Sequence, residues 1–241
     1  MYEIEKLLVM LVTEGSVSKG VRTWKISFRN KSQNLIDLFV ETFEKIFGTK
    51  PKIMEEKDGT IIAYKYSTEI AKELFKHLIH FRTKSCAEKP ICPEYKKNKE
   101  EHLKECIICE GKPFHKVQLP NSIFKLPIEE RMFLVKILVS AEGHLVFTQI
   151  FGRRPNELVR HIIVTCYHPA LKVQFKNLIE SCGFKCKFQD NVKIRISGKE
   201  SLVMFKEMVG FFPDLIVSGK GKWGGTPKQE LLDKMIESFV N

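Results

Sequence analysis

The chain reads as an α+β protein made of two pseudo-symmetric αββαββα repeats, and three features of its 241 residues predict this. Two apolar runs, Leu7-Leu8-Val9-Met10-Leu11-Val12-Thr13 and Val135-Lys136-Ile137-Leu138-Val139-Ser140-Ala141, each end in Glu-Gly, at Glu14-Gly15 and Glu142-Gly143. The segments after each Glu-Gly repeat in kind and order: two strand-like stretches, a helix, two more strands and another helix. Within the strands, basic and apolar residues alternate, as in an antiparallel sheet covered on one face.

A helix that is apolar nearly all round is buried. The two runs are therefore core helices that carry a carboxylate to their C-terminal ends, each followed by a Gly suited to a left-handed cap. Packed side by side, they bring Glu14 and Glu142 to one point. After Gly15, residues 16–19 and 22–29 read as strands, and residues 34–43 place Leu35, Ile36, Phe39, Val40 and Phe43 at helical spacing. Residues 50–56 and 60–66 form a hairpin around Asp58-Gly59, and a helix is predicted over 68–81. In the second half, strands at 145–151 and 158–166 precede a helix at 169–182. Strands at 184–189 and 192–197 then pair around Asp190-Asn191, before a helix at 199–211. A last helix is predicted over 227–239. The domain reading is a first repeat at 1–81, a Lys- and Cys-rich linker or insert at 82–120, and a second repeat with its C-terminal helix at 121–241.

Lys plus Arg total 40 against 29 Asp plus Glu, a net charge of +11, which suits a protein that neutralises many phosphates. No apolar run approaches the roughly 18 residues a membrane span needs, and Met1 is followed at once by Glu3, Glu5 and Lys6 rather than by a secretory signal. A cytoplasmic protein with no membrane partner is expected.

Most basic residues fall on one strand parity. Thr23, Lys25, Ser27 and Arg29 alternate with Arg22, Trp24, Ile26 and Phe28, a mostly apolar set; Lys185 and Lys187 with Phe184, Cys186 and Phe188; Lys193 and Arg195 with Val192, Ile194 and Ile196. A half-buried sheet always has a wet face, which is one reading. The other is that long donors on a curved β-ribbon enter the DNA major groove, and these eight polar residues are then the DNA-facing set.

Between the repeats, Cys86, Cys92, Cys106 and Cys109 lie among many lysines. The Cys106-Ile107-Ile108-Cys109 spacing suits half of a zinc site, although the first pair is too widely spaced for a standard knuckle. Zinc, a disulfide-stapled insert and free thiols all remain open. Cys166, Cys182 and Cys186 have no His or Asp at nucleophile spacing and read as small buried hydrophobes. Trp24 reads as core and Trp223 as part of a flexible basic loop, Gly219-Lys220-Gly221-Lys222-Trp223-Gly224-Gly225, which lacks the order of a phosphate-binding P-loop.

The paired Glu-Gly helices and shared topology resemble the LAGLIDADG homing endonucleases in their single-chain, two-repeat form. The resemblance covers nearly the whole chain outside residues 82–120. It implies that the two motif helices pair at the centre, that the strands form curved antiparallel DNA-binding sheets, and that Glu14 and Glu142 bind catalytic Mg²⁺ (or Mn²⁺). It further implies a monomeric, sequence-specific double-stranded DNA endonuclease, with Lys84, Lys220 and Lys222 the nearest counterparts of the family's auxiliary basic residues. Val9 and Ile137 depart from the family's small residues at the helix crossing; Thr13 and Ala141 keep to them. The alternative is a cleavage-inactive DNA- or RNA-binding regulator or intron maturase on the same scaffold.

Overall fold

The structure is a computed structural model that describes residues 2–78, 81, 117–149 and 158–239. Helix α1 (Glu3–Thr13) leads into strands β1 (Gly15–Lys19) and β2 (Trp24–Asn30), helix α2 (Gln33–Phe47), the hairpin β3 (Lys52–Glu55) and β4 (Ile61–Tyr66), and helix α3 (Thr68–Leu74). After a short α4 (Ser122–Lys125), the order recurs as α5 (Ile128–Glu142), β5 (Gly143–Gln149), β6 (Leu158–Thr165), α6 (Pro169–Ser181), β7 (Cys186–Phe188), β8 (Lys193–Ser197) and α7 (Lys199–Met208). Helix α8 (Lys228–Glu237) comes last. The αββαββα unit is present twice, as predicted.

Each repeat forms one antiparallel four-stranded sheet, in the order β1-β2-β4-β3 and β5-β6-β8-β7. The matching permutation comes from the hairpins: β1–β2 and β3–β4 pair locally, and the intervening helix returns the chain so that β4 lies beside β2. Helix α2 packs on β2 and β4, and α6 on β7 and β8. Their apolar faces cover Ile26, Phe28, Ile194 and Ile196, all fully buried. The opposite strand parity carries the polar residues.

Caps position the helices. Ser32 Oγ accepts from Leu35 N at 3.1 Å to begin α2, and Asp214 of the second repeat completes the cap by accepting from Ser32 Oγ (2.8 Å) and Asn34 N (3.1 Å). Buried His168 caps α6, its Nδ1 accepting from Leu171 N at 3.1 Å, with Pro169 preset for the first turn.

Several predicted boundaries shift. Helix α3 ends at Leu74 rather than running on through Phe81, and β7 is limited to three residues. Helix α7 stops at Met208 because Gly210 turns left-handed (φ 62°) and returns its N–H to Phe205 O at 2.7 Å. No helix among the described residues is long and apolar enough to cross a membrane.

Candidate active site and DNA-facing surface

Helices α1 and α5 pack against each other at the centre. Leu7 to Leu11 are fully buried, as are Leu134, Val135, Ile137, Leu138 and Val139. A helix buried on all sides cannot slide, so the residue at its end is held in place. Glu142 is the last residue of α5 and Glu14 the residue after α1. Val9 and Ile137, larger than the small residues expected at the crossing, are both fully buried. Thr13, buried as well, folds its hydroxyl back onto its own helix, donating to Val9 O and Met10 O at 3.0 Å each.

The two glycines act differently from the expectation. Gly143 takes an extended backbone (φ −90°, ψ 143°), and neither it nor Gly15 adopts positive φ. Each instead lets the chain pass from helix to strand with no loop. A Cβ at residue 143 would stand 2.2 Å from Val139 O, and one at residue 15 would stand 2.5 Å from Leu11 Cα. Close approach to the preceding turn, not handedness, is the reason glycine is required here.

Lys228 is the residue that sequence reasoning missed. It is 9% exposed, and its Nζ donates to Gly143 O at 2.7 Å, with Ser140 O at 3.4 Å. Burial pulls its pKa down to about 8, a fall that the negative charge of Glu14 partly offsets. One ammonium thus bonds beside Glu142 on α5 and lies within electrostatic range of Glu14 on α1. Its backbone is held by Lys228 N donating to Leu215 O at 2.7 Å and by the Ile216–Pro227 bridge. A signal was present: Lys228, Leu231, Leu232 and Met235 fall at i, i+3, i+4 and i+7, so the lysine lies on the buried stripe of α8. It also occupies the first turn, where the helix dipole disfavours a cation. His144, next along β5, is shifted toward neutrality by desolvation and by the cations Lys193 and Lys228.

Of the three lysines expected near the acids, Lys220 and Lys222 lie in the described residues. Lys222 lies with Trp223, Phe147, Thr148, Gln149 and Leu158 around a cavity of about 480 Å³. That is the far end of β5, and Phe147 is four residues, about 13 Å, from Gly143 along the strand. Trp223 is not part of a free loop: it stacks on Phe147 (centroids 5.3 Å, 13° between planes) and donates from Nε1 to Phe147 O at 2.9 Å. Lys220 is exposed beyond it. Lys84, Cys86, Cys92, Cys106 and Cys109 lie outside the described residues. Cys166, Cys182 and Cys186 are buried, and burial pushes the Cys186 thiol up to about 12.

The polar strand faces are as the alternation predicted. Lys25, Ser27 and Arg29 point away from the helices on β2, and Lys187, Lys193 and Arg195 do so on β7 and β8. Thr23 precedes β2 and touches Thr68 (Oγ1–Oγ1 3.3 Å); Lys185 precedes β7 and pairs with Glu200 at 3.2 Å. Arg29 pairs with Glu56 at 2.5 Å, Lys193 with Asp190 at 3.3 Å, and Lys25 sits over the Tyr64 ring at 5.2 Å. Ser27 shares a hydrogen bond with Ser16 at 3.0 Å.

No protein-family model matches the chain, and no curated protein matches it in sequence. Among solved structures it superposes on the meganuclease I-SmaMI bound to uncleaveable DNA, with TM-score 0.52 and 13% identity over 98% of this chain and 88% of that one. It also superposes on I-DmoI in complex with DNA and Ca, with TM-score 0.51 and 12% identity over 96% and 97%. At such identity the likeness is one of architecture, and with the two repeats and their central helix pair it gives the chain the two-repeat fold of the single-chain LAGLIDADG homing endonucleases.

Proposed function

We propose that the protein is a sequence-specific double-stranded DNA endonuclease, acting as a monomer with Mg²⁺ or Mn²⁺. The observation that carries this reading is Lys228, a buried cation bonded to the carbonyl beside Glu142 and in electrostatic reach of Glu14. Two carboxylates and an ammonium at the junction of a rigid core with two basic sheets form a site for handling a phosphodiester. The DNA-bound state of the I-SmaMI and I-DmoI structures supports the same partner.

Glu14 and Glu142 would hold the divalent cation. Among the described residues no group of three His, Cys, Asp or Glu side chains gathers to hold a metal. Two carboxylates therefore leave most of the coordination to water and phosphate oxygens, as Mg²⁺ prefers. When bound, the ion supplies Lewis acidity toward the phosphate and lowers the pKa of coordinated water. Lys228 keeps its proton at neutral pH and directs N–H groups to Gly143 O and Ser140 O, leaving one donor for a phosphate oxygen where charge develops. The buried α1–α5 pair fixes both acids relative to the strands, so the polar sheet faces set which DNA reaches them.

Incubation in Mg²⁺ with a plasmid library carrying randomised inserts tests the proposal. A subset of plasmids should become linear, and neither a chelator-treated reaction nor a Glu14→Gln variant should yield linear product. Sequence-selective binding without any linear product would replace this reading with the cleavage-inactive binder.

A further inference from the structure

We propose that Arg195 reads a guanine in the half of the DNA site lying under the second sheet. This rests on the endonuclease reading above and adds a specificity-determining residue to it. Across β5, β6, β8 and β7 the strand register sets His144, Ile163, Arg195 and Lys187 in one row on the outward face. The equivalent row of the first sheet is Ser16, Ser27, Tyr64 and Lys52. The two halves of the protein therefore present different chemistry at matched positions, and Arg195 stands where the first repeat has Tyr64.

Among the cations of the outward faces, Arg29, Lys185 and Lys193 each have an acid and Lys25 has an aromatic face, whereas Arg195 and its row neighbour Lys187 have neither among the described residues. Among the described residues Arg195 has no ion-pair partner, and its Nε is buried with no hydrogen bond. Its neighbours across the ladder are Ile163, 1% exposed, and the cation Lys187, and neither offers a guanidinium an acceptor. His161, one step diagonally away, already feels its charge, since Arg195 adds to the lowering that burial imposes on that imidazole. A base cannot reach the buried Nε, so readout falls to the terminal guanidinium nitrogens, which no described acid holds.

Position decides between base and phosphate. Four strands about 4.8 Å apart span about 14 Å, close to the roughly 12 Å width of the major groove. Edge strands then face the groove walls, where the phosphates lie, and inner strands face the base edges. Strand β8 is an inner strand. A planar guanidinium matches guanine O6 and N7 as a pair. Alternate residues on a strand are about 6.6 Å apart, close to two rises of about 3.4 Å, so Lys193 addresses a position two base pairs from the guanine.

Selection of bound duplexes from a randomised pool, in a chelator so that nothing is cut, tests this with the wild-type protein, Arg195→Met and Arg195→Lys. The wild type should enrich one nearly invariant guanine. Arg195→Met should lose guanine at that column alone and bind the selected duplex roughly ten- to hundred-fold more weakly. Arg195→Lys, which keeps the charge without the planar fork, should keep most of the affinity while its preference for guanine over adenine falls. Thermal melting confirms that each variant is folded, and if Arg195→Met is not, the Arg195→Lys column decides. Unchanged columns in the folded variants, or weaker binding with every column intact, would overturn guanine readout while leaving the endonuclease reading standing. A wild-type protein that enriches no sequence would overturn both.

Discussion

Adding one methyl group at the helix-to-strand junction should disable cleavage without touching any acid or any DNA-facing residue. In Gly143→Ala the new Cβ would stand 2.2 Å from Val139 O and 2.8 Å from Val139 Cγ1. Real Cβ atoms essentially never come within 3.0 Å, so backbone and methyl must part by about 0.8 Å, and the nearest atom is a backbone carbonyl that no rotamer change can clear. The displacement falls on the residue after Glu142 and on the carbonyl that Lys228 binds. Overpacking of this kind costs about 1–3 kcal/mol, which in a chain of this size lowers Tm by roughly 2–12 °C. A misplacement near 1 Å at a reacting centre costs about 10²-fold in rate. Gly15→Ala, with its closest approach at 2.5 Å, should be milder. The assay is the cleavage rate well below Tm, beside affinity measured in a chelator, which should be unchanged because the outward sheet faces are untouched. A Gly143→Ala protein that melts and cleaves like the wild type would refute the close-approach account of this glycine.

Glu14→Gln and Glu142→Gln should each abolish strand cleavage and leave DNA affinity equal or higher, since a negative charge beside a phosphate is removed; wild-type cutting by either variant would exclude that carboxylate from catalysis. Lys228→Met should lower the cleavage rate by roughly 10²–10³-fold. Its stability should also change shape with pH. The folded pKa of Lys228 is lowered to about 8 from 10.5, so between those values the unfolded chain binds more protons and wild-type stability gains a rising contribution with pH. Denaturant melts of Lys228→Met that show the same rise would contradict the buried ammonium. Replacing Lys25, Arg29, Lys193 and Arg195 together by Ala should lower affinity, and should flatten the slope of log affinity against log salt by roughly 0.9 for each one that neutralises a phosphate rather than reading a base; unchanged affinity together with an unchanged slope would mean these side chains do not face DNA. Asp214→Ala should remove the second repeat's cap on α2, costing about 1 kcal/mol. Burial works to raise the Asp214 pKa, but bonds from Asn34 N and Ser32 Oγ outweigh it and hold it low. Its contribution is therefore present above about pH 4 and disappears as pH falls further, and an acid-unfolding curve shared by wild type and variant would argue against the cap.

The two carboxylates were legible because their signal is local. A continuous apolar run, a terminal Glu and a Gly identify a buried helix with an acid at its end, and the second copy supplies the pairing. The sheet faces were legible for the same reason, since alternation along β2 and β8 is a property of the strand itself. Lys228 was hidden because its role depends on where α8 lands: the groups it meets, Gly143 and Glu14, are 85 and more residues away. Trp223 misled for a related reason. Flanking glycines are the mark of a mobile loop, and the partner that immobilises it, Phe147, is 76 positions upstream. The left-handed cap failed at Gly15 and Gly143 because a glycine in sequence has two uses, positive φ or close approach, and only the path of the following strand distinguishes them.

Each acid stands at the single point where its repeat passes from the core to the outward surface. Glu14 is preceded by helix residues with almost no exposure and followed within two positions by Ser16, which lies in the same row as Ser27, Tyr64 and Lys52. Glu142 is preceded by the buried turn of Val139 and followed by His144, in the row that contains Arg195. On the proposed reading, a residue held by the core on one side and by the polar sheet on the other takes its precision from packing and its choice of DNA from the surface. The two properties can then change separately. Outward side chains such as Arg29, His144 and Lys187 are exposed, so replacing them costs little in folding, whereas the Glu-Gly junctions leave no room even for a methyl group. Lys228 belongs with the junctions, because its stem is packed on α8 beside Leu231, Leu232 and Met235, and any change that loosens that helix moves the cation away from both acids.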